Sequence, residues 1–447
     1  MRDLLVLAIF AIGVLYAIRD PFIGVIVYYW ISVMNPHRYA WGFAREFPLA
    51  LIAALATMLG IALRWNEVQL PRNREFYAFL LLWGFMTITT VFAFYPDDAW
   101  VVWKLISKTF LMTLAAMMLL TTRQRVIYFL LALVAFVGFV AVKGAVFGVL
   151  TGGRYMVWGP PDSFLADNNA LGLATVMVLP ICFQLRELTR KKWQSRAMLV
   201  VGVCLIISTV LTYSRGALVG LLTVGIFYFV VSKQKVRVLL VGTFLVVVAL
   251  NVLPSTWFDR MNTIKTYEED GSANMRLNSW TMSWNLAKDN PLGGGFDCFR
   301  LEQYHRYSPN PELGKAGGRG GVGGSTAHSL YFEVIATQGF GGFTIYMAAL
   351  GFMLLTLMRI NRNARAAPDE EWLSSVSRGL LVSILGFMSC GAFQSKAFFD
   401  MFWAIYACGV GLAYVVDSGA WVEGAQTAPA PARVAPVPLR QVRSSHR

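Results

Sequence analysis

Charge is scarce in this chain, and so are cysteine and histidine. Only 14% of its 447 residues are Asp, Glu, Lys or Arg, whereas 56% are hydrophobic and mean hydropathy is +0.54. Soluble globular domains carry about 25% charged residues, so a surface this lean excludes an ordinary water-soluble fold and makes lipid the expected solvent. There are five cysteines, and Cys182, Cys204, Cys390 and Cys408 sit inside apolar runs, where a thiol behaves as a small hydrophobe. Cys298 alone lies in a polar stretch, which excludes a disulfide framework and a cysteine-held metal cluster there. The net charge of +14 would suit nucleic acid, but the excess is confined to short connectors and the C-terminal tail, so no nucleic-acid partner is expected.

What the chain does have is a succession of apolar runs. They span roughly residues 4–18, 21–34, 48–63, 76–94, 100–120, 126–150, 168–185, 197–213, 216–232, 238–253, 329–358, 379–393 and 397–416. Runs of this kind cross the hydrocarbon as helices, which satisfy their own backbone groups. The reading is an all-α polytopic membrane protein with about 12 or 13 transmembrane helices and one long external loop. Residues 4–18 have only Arg2 as a basic flank and no small-residue cleavage pattern after them, and they read as an anchor. Only Arg19-Asp20 separates the first two runs, as either a tight hairpin or one broken helix.

Four regions follow: helices over 1–253, an external loop over 254–328, helices over 329–416, and a disordered tail over 417–447 rich in Pro and Ala. Lys and Arg concentrate in alternate connectors, among them Arg64, Arg72 and Arg74, Arg123 and Arg125, Arg190 to Lys192, and Arg359 to Arg365. Basic short loops stay in the cytoplasm. The loop over 254–328 therefore faces outward, to the periplasm if the cell is a Gram-negative bacterium.

Several charges stand where lipid should forbid them. Lys104 and Lys108, one turn apart, and Lys143 lie within apolar spans, in their outer halves by this topology. A charge at bilayer depth costs about 2.5 kcal/mol or more, so each calls for a partner or a route to water. Glu333 and Asp400 are the acids at comparable depth. The lysines also have stems long enough to snorkel. With Arg154 and Arg215 on the same side, they make an outward cationic basin suited to a phosphate-bearing substrate.

The external loop opens a helix at Asn274-Met275-Arg276, with Leu277, Trp280, Trp284 and Ala287 on one face, as suits a membrane surface. The turn Asn290-Pro291-Leu292-Gly293-Gly294-Gly295-Phe296 stops it. A glycine-rich run, Gly314 to Gly324, precedes His328, whose ordinary pKa of about 6.5 suits a general base. His305, also in the loop, has less to support a role. Asp97-Asp98 reads as a turn rather than a metal site, and neither metal nor cofactor is expected.

These segments resemble the O-antigen ligase and polymerase superfamily of membrane glycosyltransferases. The resemblance covers about residues 200–350. It rests on Thr212-Tyr213-Ser214-Arg215-Gly216-Ala217, on Arg276 with Trp280 and the Asn290 to Phe296 turn, and on His328-Ser329-Leu330-Tyr331-Phe332-Glu333 running to Gly339-Phe340-Gly341-Gly342. Many members carry Asn where this chain has Ser329. Met34-Asn35-Pro36-His37-Arg38 and Val157-Trp158-Gly159-Pro160-Pro161 look like the subgroup of O-glycosylation ligases associated with exosortase systems. The resemblance implies a glycan ligase of the bacterial inner membrane, with undecaprenyl-pyrophosphate-linked glycan as donor and an acceptor hydroxyl. Arg215 and Arg276 would hold the pyrophosphate, and His328 would deprotonate the acceptor. A cationic clamp on so stable a leaving group serves in place of metal and general acid. The rivals are a polymerase of lipid-linked repeat units and, from another class, a transporter using Lys143 and Arg215 as anion sites.

Overall fold

Every apolar run singled out above coincides with a helix of the computed structural model, overrunning it by at most about three residues at either end; the structure describes residues 2–39, 42–232, 234–262, 271–317, 325–365 and 371–419. The N-terminal region supplies α1 (Arg2–Arg19), α2 (Pro21–Met34), α3 (Leu49–Leu63), α4 (Arg74–Val91), α5 (Pro96–Leu119) and α6 (Arg123–Leu150). It continues with α7 (Asn168–Glu187), α8 (Lys192–Leu211), α9 (Arg215–Val231) and α10 (Lys235–Val252). The loop carries α11 (Ser255–Asn262), α12 (Gly271–Asp289) and α13 (Leu301–Tyr307), and α14 (Leu330–Ala364), α15 (Glu371–Gly391) and α16 (Asp400–Asp417) complete the chain. Among the described residues, seven helices (α5 to α8 and α14 to α16) are long and apolar enough to cross a membrane, and α2, α3 and α9 are shorter apolar helices. The chain is an all-α polytopic membrane protein. The tail read as disordered lies, from residue 420 onward, outside the described residues, as does most of the glycine-rich run.

The first two runs form a hairpin. Ala17 faces Gly24 and Gly13 faces Val27, the pairing of antiparallel neighbours about Asp20. Asp20 starts α2 by accepting from Phe22 N at 3.1 Å, ahead of Pro21 at the first helical position, and also meets Arg125 at 3.3 Å. Both side chains of that ion pair are substantially solvated, so the cap outweighs it. Asp20→Ala should therefore cost about 1 kcal/mol of stability, while Asp20→Asn, which still caps, should cost little. The thermal midpoints of the two detergent-solubilised variants check this.

α7, α15 and α16 are the buried centre, with most of each span covered by protein rather than left to lipid. Without a hydrophobic drive between helices in lipid, close approach depends on small residues. A Cβ at Gly220 of α9 would sit 3.0 Å from both Val176 of α7 and Cys390 of α15. Connectors sort to two ends. At the basic end, Arg359 pairs with Asp417 at 3.3 Å and Arg123 stacks over Trp372. At the other end, Asn35 donates to Pro161 O at 2.8 Å and Lys396 meets Asp167 at 2.9 Å.

α14 is two helices joined at Gly339, whose φ of 63° and ψ of −171° belong essentially to glycine. The break leaves carbonyls without helical donors, and the external loop supplies them. Gly294 N donates to Ala336 O at 2.8 Å and Gly295 N to Thr337 O at 3.1 Å, while Gly294 O accepts from Phe94 N at 2.9 Å. The glycines at 293 to 295 are what let this turn enter. Around it the loop builds its own small core from Met282, Leu286, Cys298, Tyr304 and Tyr307, sealed against Ala336.

That core corrects the reading of α12. Met282 and Leu286, the residues that blurred the expected face, are fully buried together with Ala287, while Leu277 and Trp284 remain exposed. The helix packs by Ser279, Met282, Ser283 and Leu286, a face that two serines disguise in the sequence. Those serines close hydrogen bonds to their own helix and, at Ser279, accept from Tyr304 at 2.7 Å.

Candidate functional site

Arg215 is placed by the start of α9. Tyr213, immediately before it, takes a left-handed conformation (φ 57°), and its hydroxyl donates to Gly153 O at 2.5 Å. Asn168 of α7 donates to Thr212 O at 2.8 Å, and Ser214 caps α9 by accepting from Ala217 N at 3.3 Å. The turn is thereby tied to two neighbours, and half-buried Arg215 projects from the first turn of α9. Gly216 lies against the last turn of α15, where a Cβ would sit 3.2 Å from Cys390 O and from the Gln394 amide.

His328 is brought to the same turn of α15 from the other side. Leu330 fills the space over Gly391, and the Tyr331 hydroxyl donates to Met388 O at 3.0 Å. Arg215 and His328 thus share one end of the bundle, flanking the C-terminal end of α15. Arg276 joins His328 through α12. One helical turn beyond Arg276, Trp280 donates to Ala327 O at 2.8 Å and stacks on Phe332 with ring centroids 5.0 Å apart. His328 itself is left-handed (φ 48°) and keeps an exposed edge. Burial of the rest of the ring, and then the positive charge of Arg276, lower its pKa from the usual histidine value. The imidazole is therefore neutral at neutral pH, as proton abstraction requires.

A second layer went unrecognised in the sequence. Lys396, in the corner between α15 and α16, meets Asp167 at 2.9 Å, and Asp167 in turn caps α7 by accepting from Ala170 N at 2.8 Å. One residue on, Ala397 N donates to Glu333 at 2.9 Å. The corner thus ties the helix that follows His328 to the helix end that anchors the Arg215 turn. In the sequence Lys396 is a single cation in the short connector between two apolar runs, with no pattern to mark it. Asp167 had a weak signal, an acid directly before an apolar helix.

The lysines of the expected basin are not gathered at this site. Lys104 is exposed on α5. Lys143 lies 4.6 Å from the centre of the Tyr39 ring and lines a cavity of about 630 Å³ with Trp158 and Phe147. Arg154 lines an adjoining cavity of about 610 Å³ that shares Phe147, Met156 and Trp158 with the first and reaches Tyr213, two residues from Arg215. Lys108 lines a third, about 780 Å³, whose walls include none of Arg215, Arg276 and His328. Glu333, expected to neutralise one of these lysines, is bound to the Ala397 amide instead; Asp400 does share the third cavity with Lys108. The outer charges had been placed by sidedness alone, which says nothing about position around the bundle.

His305 is exposed on α13, away from these contacts. Asp98 is engaged by Arg300, which also bonds Asp297 and lies over Tyr95 at 3.8 Å from the ring centre. Among the described residues no group of His, Cys, Asp and Glu is arranged to hold a metal ion. The Cys298 thiol is fully buried, and burial raises its pKa, so it is no nucleophile.

Two family models match the chain. A family of unknown function (DUF5935) covers residues 1–190, and a family described as O-antigen ligase covers residues 200–347. No curated protein matches. The second match contains Arg215, Arg276 and His328, and Lys108, Lys143, Arg154 and Asp167 fall within the first.

Proposed function

From a chain whose residues 200–347 are an O-antigen ligase domain, and which thereby has its place in that superfamily of membrane glycosyltransferases, we propose a specific reaction. It transfers a glycan from undecaprenyl pyrophosphate to an acceptor hydroxyl on the periplasmic face of a bacterial inner membrane. His328 takes the hydroxyl proton as the acceptor oxygen bonds to the anomeric carbon. The bond from that carbon to the pyrophosphate breaks, its electron pair leaving with the pyrophosphate, which Arg215 and Arg276 hold as a dicationic clamp: two fixed positive charges against a growing negative one. Arginine suits this because its planar fork meets phosphate oxygens in pairs.

What carries this reading is one juxtaposition: Gly216, next to Arg215, and Leu330 and Tyr331, just after His328, pack at the same end of α15, and Arg276 is near enough to His328 to lower its pKa. The connected cavities beneath Arg154 and Lys143, with aromatic walls leading to Tyr213, support a lipid carrier approaching from the side. The basic connectors at the far end of the bundle support an outward-facing site.

The test is reconstitution of the purified protein in proteoliposomes with a radiolabelled lipid-linked glycan and a hydroxyl acceptor. Transfer of whole chains to the acceptor is the expected result. Extension of one lipid-linked chain by another would instead mark a polymerase, and label accumulating in the lumen without a new glycosidic bond would mark a transporter. The rate should fall on acidification with a midpoint below about 6.5, because a lowered pKa keeps the base unprotonated down to that point. Arg276→Gln should slow transfer and move that acidic midpoint upward, since the charge that depresses the imidazole pKa is gone. A midpoint that stays put would separate Arg276 from His328 in function.

A further inference from the structure

The third cavity, about 780 Å³ between α2, α3 and α5, takes no part in the reaction above, and its composition differs from that of a phosphate site. Its charged walls are Arg38, Lys108, Glu46, Asp162 and Asp400, two cations against three carboxylates. Arg38 is partly neutralised by Asp162 at 3.6 Å. An anionic head group would meet no net positive charge here, whereas a hydroxyl-rich one finds acceptors and donors side by side.

His37 points to the same chemistry. Its side chain is only 6% exposed, it lines the cavity, and its Nδ1 has no hydrogen-bond partner among the described residues. A buried imidazole nitrogen left unsatisfied is costly, which marks it as a place for a ligand group. Burial, and then neighbouring Arg38, lower the His37 pKa, so the ring is neutral and bonds a hydroxyl as readily as water. Beside these polar groups, Leu51, Leu55, Leu105 and Leu111 line the cavity and are themselves exposed to the surrounding lipid. Lys108, near the middle of α5, is a charge kept at bilayer depth within this wall.

We propose that this cleft binds a glycolipid, its sugar head group among His37, Arg38, Asp162 and Asp400 and its chain along the leucines of α3 and α5. The site is separate from that of glycan transfer and does not depend on it. Pockets of this kind are mostly apolar with a few placed polar groups, and the cleft opens sideways, as a membrane amphiphile requires.

The experiment uses the full-length protein in phosphatidylcholine nanodiscs and a tritiated alkyl glucoside bearing a diazirine on its chain. Photolabelling should map to residues 51–58 and 105–111. Excess monoglucosyl diacylglycerol should compete, and phosphatidylglycerol and diacylglycerol should not. Leu55→Trp, at a position 61% exposed and so harmless to the core, should fill the cleft and cut labelling about tenfold, equivalent to about 1.4 kcal/mol. His37→Phe should do the same with an unchanged thermal midpoint. His328→Asn should leave labelling intact, which separates this site from the catalytic reading. Labelling indifferent to Leu55→Trp, or displaced equally by phosphatidylglycerol, overturns the proposal.

Discussion

His328→Asn should lower glycan transfer by roughly 10²- to 10⁴-fold, the range a general base contributes, with donor binding little changed. Asparagine is a better test than alanine because His328 is left-handed, at φ 48°. Asn tolerates that conformation while most residues are strained by it, so the turn leading into α14 should survive. The amide has no proton-accepting nitrogen, so what is lost is the base alone. His328→Ala adds a backbone cost to the chemical one and should show a lower thermal midpoint as well. Measuring turnover and donor affinity for both variants divides the two effects. A His328→Asn protein that turns over at near the wild-type rate would remove His328 from the reaction, whatever its neighbours do.

Gly339→Ala should be strongly destabilising, for two separate reasons. The φ/ψ pair at Gly339 alone makes a side chain cost about 1–3 kcal/mol. A Cβ there would also come within 2.6 Å of Gly293 N and would strike the Pro291 carbonyl, both backbone atoms with nowhere to go. The turn must back out, breaking the bonds from Gly294 N to Ala336 O and from Gly295 N to Thr337 O, each worth about 1 kcal/mol. A drop in thermal midpoint should accompany faster hydrogen exchange at Gly294 and Gly295. Unchanged exchange at those amides would mean that the turn is held by something else.

Much of the architecture was readable because lipid imposes a coarse code. Apolar runs gave the helices, and Arg and Lys in alternate connectors matched the end of the bundle where Arg359 pairs with Asp417 and Arg123 covers Trp372. The helix at Gly339 was not legible as two, since one apolar run continues through the break and only the run of Gly339, Gly341 and Gly342 hinted at it. Periodicity misread α12 for a related reason: its buried face uses Ser279 and Ser283, which count as polar until their hydroxyls are seen bonded inside the helix. At the site, the neighbours of Arg215 and of His328 pack at the same end of α15, and Arg276 is near enough to His328 to lower its pKa. The lysines were grouped with them by depth, and depth leaves the angular position of a helix open. Lys396 and Asp167 pair across more than two hundred residues of sequence, a distance at which no local pattern operates.

The stitched break in α14 bears on how the chain is made. Residues 290–296 precede Gly339 in the chain, so the bonds from Gly294 and Gly295 can close only once Ala336 and Thr337 have been made. The partition at residue 328 that the sequence suggests is crossed by both of these hydrogen bonds. Maturation of the cap and insertion of the helix after it become one event, and a chain interrupted between them should be a substrate for quality control rather than a stable half-enzyme.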